Sequence, residues 1–112
     1  MSYAYEHVTL LRVIDGDTIQ VAIDVGFRFQ TTQILRLVEL DTPERGQPGF
    51  IEAKAKLQAV LADHRLAVRT FKQDSFGRWL AAVWIGEAIN VSRLMREWMA
   101  EQPWATTQQP NS

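Results

Sequence analysis

The sequence predicts a mainly β protein with helices (α+β), a small closed antiparallel barrel carrying two helices. Residues 7–40 and 65–85 hold runs that alternate apolar and polar side chains, the period of a half-buried strand. Residues 51–62 and 91–100 instead repeat apolar residues every three or four positions, the period of a helix. The resulting order is three strands, a helix, two strands and a helix, which gives a parallel sheet too few crossovers and suits a closed barrel. At 112 residues with 46% apolar side chains, the chain fills one core and is too short for two.

The elements follow in order. After an N-terminal extension over 1–6, residues 7–14 read as a strand with Val8, Leu10 and Arg12 on one face. Asp15-Gly16 signals a tight turn in which glycine supplies the backbone shape. Asp17 to Val25 is the return strand, with Ile19, Val21 and Ile23 alternating against Thr18, Gln20 and Ala22. A third strand runs from about Phe27 to Leu40, with a bulge or loop expected within 25–31. Arg45 to Phe50, with two glycines and Pro48, is a loop. The helix over 51–62 has Ala53, Leu57, Val60 and Leu61 as its apolar stripe. Residues 65–71 and 78–85 are the last two strands, joined by a turn at 72–77. Asn90 caps a second helix whose stripe is Val91, Leu94, Met95, Trp98 and Met99, without a capping box because Arg93 stands at the third position. Trp84 and Trp98 are expected in the core. Residues 101–112 have two prolines and no period, and read as a tail pinned by Trp104, so the domain itself spans 7–100.

Charge and composition narrow the function classes. There is no cysteine, which excludes disulfides and thiolate metal sites. Only two histidines, His7 and His64, are present and they lie far apart in the sequence, which disfavours zinc. No apolar run reaches signal or membrane-span length, so the expectation is a soluble, cytoplasmic chain without a membrane partner. The net charge of -1 divides unevenly: residues 1–44 carry three basic and seven acidic side chains, and residues 45–112 carry nine basic and six acidic. A bound divalent cation would offset part of the early excess of acid.

The candidate chemistry is centred on Leu35 to Glu44. Leu35 and Leu37 fall on one strand face and Arg36 on the other, and the strand runs out into a proline turn carrying Asp41, Thr42 and Glu44. Asp17 at one strand start and Asp41 at another strand end are convergent oxygen ligands for a hard cation such as calcium or magnesium, and Thr42 offers its main-chain carbonyl. Glu44 has the reach to orient an attacking water and take its proton. Arg36 and Arg78 are guanidinium forks that match the oxygens of a phosphodiester. Each residue has a plainer reading: Asp15 and Asp17 as turn residues, Glu44 as a surface acid, the arginines as solvated charge. There is no glycine-rich Lys-Ser/Thr loop to suggest an ATP cradle instead.

Three blocks carry a family resemblance: Val13-Ile14-Asp15-Gly16-Asp17-Thr18; Leu35-Arg36-Leu37 with Leu40-Asp41-Thr42-Pro43-Glu44; and Asp74 with Phe76-Gly77-Arg78-Trp79-Leu80-Ala81. In order and separation they resemble the staphylococcal nuclease (thermonuclease) family over about residues 7–100. The resemblance implies an SNase-like, five-stranded OB-type Greek-key barrel and calcium-dependent hydrolysis of DNA and RNA at the P–O5′ bond, leaving 3′-phosphate ends. It implies Asp17, Asp41 and the Thr42 carbonyl as metal ligands, with Asp15 behind them. Arg36, Glu44 and Arg78 would be catalytic, with magnesium or manganese as alternative ions. Single-stranded or locally open DNA or RNA is the implied partner, and monomer and homodimer stay open. Ser75 and Phe76 depart from the lysine and tyrosine of the secreted enzyme, Trp98 replaces a usual glycine, and no third helix follows Ala100. The alternative reading is a non-catalytic OB-type nucleic-acid or protein-binding module.

Overall fold

A computed structural model describes residues 2–86 and 88–105. The elements are β1 (Tyr3–Asp15), β2 (Thr18–Gly26), β3 (Phe29–Leu37), α1 (Phe50–Leu61), β4 (Leu66–Gln73), β5 (Trp79–Ile85), β6 (Ile89–Asn90) and α2 (Val91–Ala100). The strands pair in the order β3-β2-β1-β4-β5-β6, and β3 also pairs with β5, which closes a five-stranded barrel with β6 as a short addition. The expected barrel is therefore present, with one correction. Its seam is parallel, through Leu35↔Trp79, Arg36↔Leu80 and Leu37↔Ala81, so the sheet is mixed rather than wholly antiparallel.

In β2 and at the end of β3 the core is the inward set predicted by alternation, and β4 and β5 complete it. Ile19, Val21, Leu35, Leu37, Val68, Ala81 and Val83 fill the barrel, and α1 adds Leu57 and Leu61. Burying such a side chain contributes about 1.5–3 kcal/mol, so α1 is held by its stripe and not by a side-chain cap, which it lacks. Asn90 caps α2 as expected, its side chain accepting from the Arg93 amide at 3.0 Å. Trp98 packs against the core, whereas Trp84, expected inside, is half-buried on the outward register of β5 with Leu80. Trp104 meets Trp98 edge-to-face at 5.9 Å and covers Gly49, where a Cβ would collide with the indole. Residues 106–112 of the expected tail lie outside the described residues.

Several boundaries differ from the periodicity. β1 begins at Tyr3, not His7, because Tyr3, Ala4 and Tyr5 pair with Thr70, Arg69 and Val68 of β4 while their side chains stay largely uncovered. β3 ends at Leu37, not Leu40. The anticipated irregularity in 25–31 is a tight turn with Phe27 and Arg28 both at positive φ, beside a register shift between Asp24 and Gly26. No helix among the described residues is long and apolar enough to cross a membrane.

Candidate active site

The β1–β2 turn is Gly16-Asp17, so Asp17 sits at the corner before the strand rather than within it. Gly16 is required there by space. A Cβ on it would lie 2.7 Å from Thr42 Oγ1 and 2.9 Å from the Ala53 Cβ, so the turn presses onto both the proline turn and α1. Asp17 is thereby carried inside and is only 7% exposed. Its Oδ1 accepts from the Thr18 hydroxyl at 3.0 Å and its Oδ2 from the Thr42 amide at 3.1 Å.

Arg36 is paired with Thr18 across β2 and β3, which brings its side chain to the same corner. One Nη2 lies 3.3 Å from Asp17 Oδ2 and 3.7 Å from Asp41 Oδ1. The two carboxylates therefore face one cation from either side, although Asp17 is enclosed and the Asp41 side chain is 96% exposed. Nη1 donates to the carbonyls of Leu37 at 2.8 Å and Leu40 at 2.5 Å, so Arg36 also ties down the exit of β3, where Glu39 takes a positive φ.

Burial alone would raise the Asp17 pKa. Hydrogen bonds from the Asp15 carboxyl, the Thr42 amide and the Thr18 hydroxyl, together with the Arg36 charge, overcome it and hold Asp17 below the usual carboxylate range. Asp15 is pushed the other way, by its own burial and by the proximity of Asp17.

Arg78 stands one residue before β5. By alternation from the Arg36↔Leu80 pair, it lies on the same sheet face as Arg36. Sequence reasoning quoted Asp74 within a block without giving it a role; the structure makes it the holder of Arg78. Its Oδ1 accepts from the amides of Phe76 and Arg78, both at 2.9 Å, and its Oδ2 accepts from Arg78 Nε at 2.8 Å. The readable signal was an Asx turn, an aspartate folding back on the amides that follow it. Among the described residues the two Nη groups of Arg78 have no partner, while its guanidinium stacks 5.4 Å above the Phe76 ring. Arg78 is thus the guanidinium with donors to spare, and Arg36 is largely committed within the protein.

Glu44 is exposed in the 41–47 loop, its amide donating to Gln47 Oε1 at 2.7 Å. It lines a cleft of about 780 Å³ with Asp41, Thr42 and Met99. No bond among the described residues links it to Asp17 or Arg36.

Among the described residues no three acidic or histidine side chains come together to hold a metal ion. The donors at this corner are nonetheless all oxygen, and the Thr42 hydroxyl is buried without a partner among the described residues. Two carboxylates and an orphaned hydroxyl fit a hard cation that completes its coordination with main-chain carbonyls and water.

The protein-family model of staphylococcal nuclease homologues matches residues 34–111, which include Arg36, Asp41, Glu44 and Arg78 but begin after the Asp15–Asp17 turn. An uncharacterized endonuclease of Escherichia coli O157:H7 is 30% identical over 100 residues, covering 86% of this chain and 62% of its own length. The thermonuclease of Staphylococcus hyicus is 34% identical over 99 residues, with 81% and 56% covered. The protein ParB of Escherichia coli is 34% identical over 76 residues, with 68% and 40% covered. The chain thus spans less than two thirds of the length of these curated relatives.

Proposed function

The chain belongs to the staphylococcal nuclease homologues, and from that premise we propose that it is a calcium-dependent nuclease hydrolysing DNA and RNA at the P–O5′ bond to leave 3′-phosphate ends. One observation supports the reading above the others. Pairing of β3 with β2 sets Arg36 beside Asp17 and Asp41, and its pairing with β5 carries Arg78 toward the same sheet face.

A phosphodiester at this edge would meet the unpaired Nη donors of Arg78, whose planar fork matches two phosphate oxygens and whose Nε is fixed by Asp74. Arg36 holds Asp17, Asp41 and the β3 exit in one frame and adds positive charge behind the phosphate. Glu44, solvent-facing at the cleft, would orient a water for attack on phosphorus and accept its proton. As the new P–O bond forms, the P–O5′ bond breaks, and the departing oxygen takes a proton from solvent to become the 5′-hydroxyl. A divalent cation, calcium or alternatively magnesium or manganese, would be held by Asp17, Asp41 and the Thr42 carbonyl with Asp15 behind them, and would neutralise charge that builds on the phosphate. The substrate class is single-stranded or locally open DNA or RNA, since a strand inside a duplex offers its phosphate without this freedom of approach.

The test is cleavage of a labelled single-stranded DNA with calcium, magnesium or excess chelator, comparing the wild type with Glu44→Gln. Calcium-dependent cutting that falls on the order of 10²-fold or more in the variant is expected. Absence of cutting with every ion, in a protein shown to be folded, would leave the non-catalytic binding module. The commitment of Arg36 to its own main chain is the observation that favours that second reading.

A further inference from the structure

We propose that the open end of the barrel beside Trp79 is a pocket for a single nucleobase. Among the described residues the β3–β5 seam has three rungs, from Leu35↔Trp79 onward, and the earlier residues of β3 have no strand partner on that side. The gap is a cavity of about 180 Å³ lined by Tyr3, Tyr5, Thr31, Gln33, Thr70 and Trp79 over a floor of Ile23 and Leu35. It falls below the roughly 300–1,000 Å³ typical of drug-sized ligands, which leaves room for one planar ring system.

The lining states the chemistry. Three aromatic side chains supply faces for stacking, which favours a flat ligand and tolerates any base. Gln33 Nε2 donates to Thr31 Oγ1 at 2.8 Å, which fixes the amide and leaves its carbonyl and second N–H as an acceptor and donor side by side. A purely apolar ligand would strand that amide and the Thr31 and Thr70 hydroxyls, and no charged side chain among the described residues lines the cavity to hold an ion. A base edge carries the matching donor and acceptor pair.

The position supplies the rest. Trp79 lines the pocket and follows Arg78 directly, so the pocket and the guanidinium with unpaired Nη donors belong to neighbouring residues at the start of β5. Arg78 and Trp79 point to opposite faces, and the sugar would pass around the start of β5, where the chain is still turning from Gly77. The inference rests on the nucleic-acid reading above and adds to it a base contact on the inner side of the seam.

Calorimetric titration of the intact protein with thymidine 5′-monophosphate and with 2-deoxyribose 5-phosphate tests it. The nucleotide is expected to bind about tenfold more tightly or better. Gln33→Leu and Tyr3→Ala should each erode that margin while affinity for the sugar phosphate stays as in the wild type; the exposure of Tyr3 keeps its variant folded if Gln33→Leu is not. Equal affinities, no measurable binding of the nucleotide, or a margin that survives both substitutions would overturn the pocket. Cleavage of the labelled strand is scored separately. A margin without cleavage removes the nuclease and keeps the pocket, and cleavage without a margin does the reverse.

Discussion

Gly16→Ala is the substitution that most directly examines how the site is assembled. The added methyl would stand 2.7 Å from Thr42 Oγ1 and 2.9 Å from both the Thr42 and Ala53 Cβ atoms. Neither neighbour can swing away: Thr42 is short, branched and buried, and the Ala53 Cβ is attached to the backbone of α1. Overpacking of this kind costs about 1–3 kcal/mol. Gly16 has no positive φ, so alanine also gains roughly 0.4–1 kcal/mol by narrowing the unfolded ensemble. The net expectation is a loss of about 1–2 kcal/mol, on the order of 4–10 °C in Tm for a domain of this size. Urea titration measures it as a lower midpoint at unchanged slope. Adding Ala53→Gly should return part of the loss despite its own helix cost of about 1 kcal/mol. Gly46→Ala is the control, since none of the described residues lies within 4 Å of that position and its cost comes from a φ of +89°. A Gly16→Ala protein as stable as the wild type would refute the claim that the turn is pressed onto Thr42 and α1.

Asp17→Ala, measured in excess chelator, should lose about 2–4 kcal/mol, because it strands the buried Thr42 amide and removes the nearer partner of Arg36; a loss below about 0.5 kcal/mol in urea titration would contradict the geometry. The Asp74 carboxyl is held below its usual range because the amides of Arg78 and Phe76 and the Arg78 guanidinium outweigh its desolvation. A depressed folded-state pKa contributes stability above the unfolded value of about 3.9 and loses it as pH falls toward the folded one. Asp74→Asn should therefore melt lower than the wild type at pH 7, with the gap closing below about pH 4; a gap independent of pH would exclude the charge as its source. Arg36→Lys keeps the charge but cannot span Leu37, Leu40, Asp17 and Asp41 together. It should lose both stability and most turnover, and wild-type values for both would show that the fork is not used.

How much of this was legible in the sequence depends on whether the determining contact was local. Alternation identified the inward sets of β2 and of the end of β3, and helical spacing identified the buried stripes, because one side of each element faces the core. Tyr3 to His7 gave no such pattern, being held to β4 by main-chain bonds with both faces largely uncovered. The β3–β5 seam joins residues more than forty positions apart, and no local period carries the parallel sense of that pairing. Trp84 was misjudged since its neighbours on the outward register are also apolar. At the site the proline turn and the paired acids were readable as residue types. That Gly16 serves close approach instead of backbone shape was not readable, because the atoms it avoids belong to Thr42 and Ala53.

The site divides by burial into two halves with different jobs. Asp17, Thr18 and Thr42 are enclosed and, with Arg36, bonded to one another, so their geometry exists before any ligand arrives. Asp41 and Glu44 are exposed, and their side chains adjust at little energetic cost. A ligand approaching this corner therefore meets one fixed carboxylate and two adjustable ones. Substitutions in the enclosed half must disturb stability as well as function, whereas those in the exposed half can remove function alone. Glu44→Gln belongs to the second group, which is why loss of cleavage in that variant would speak to chemistry where the same loss in an Asp17 variant would not.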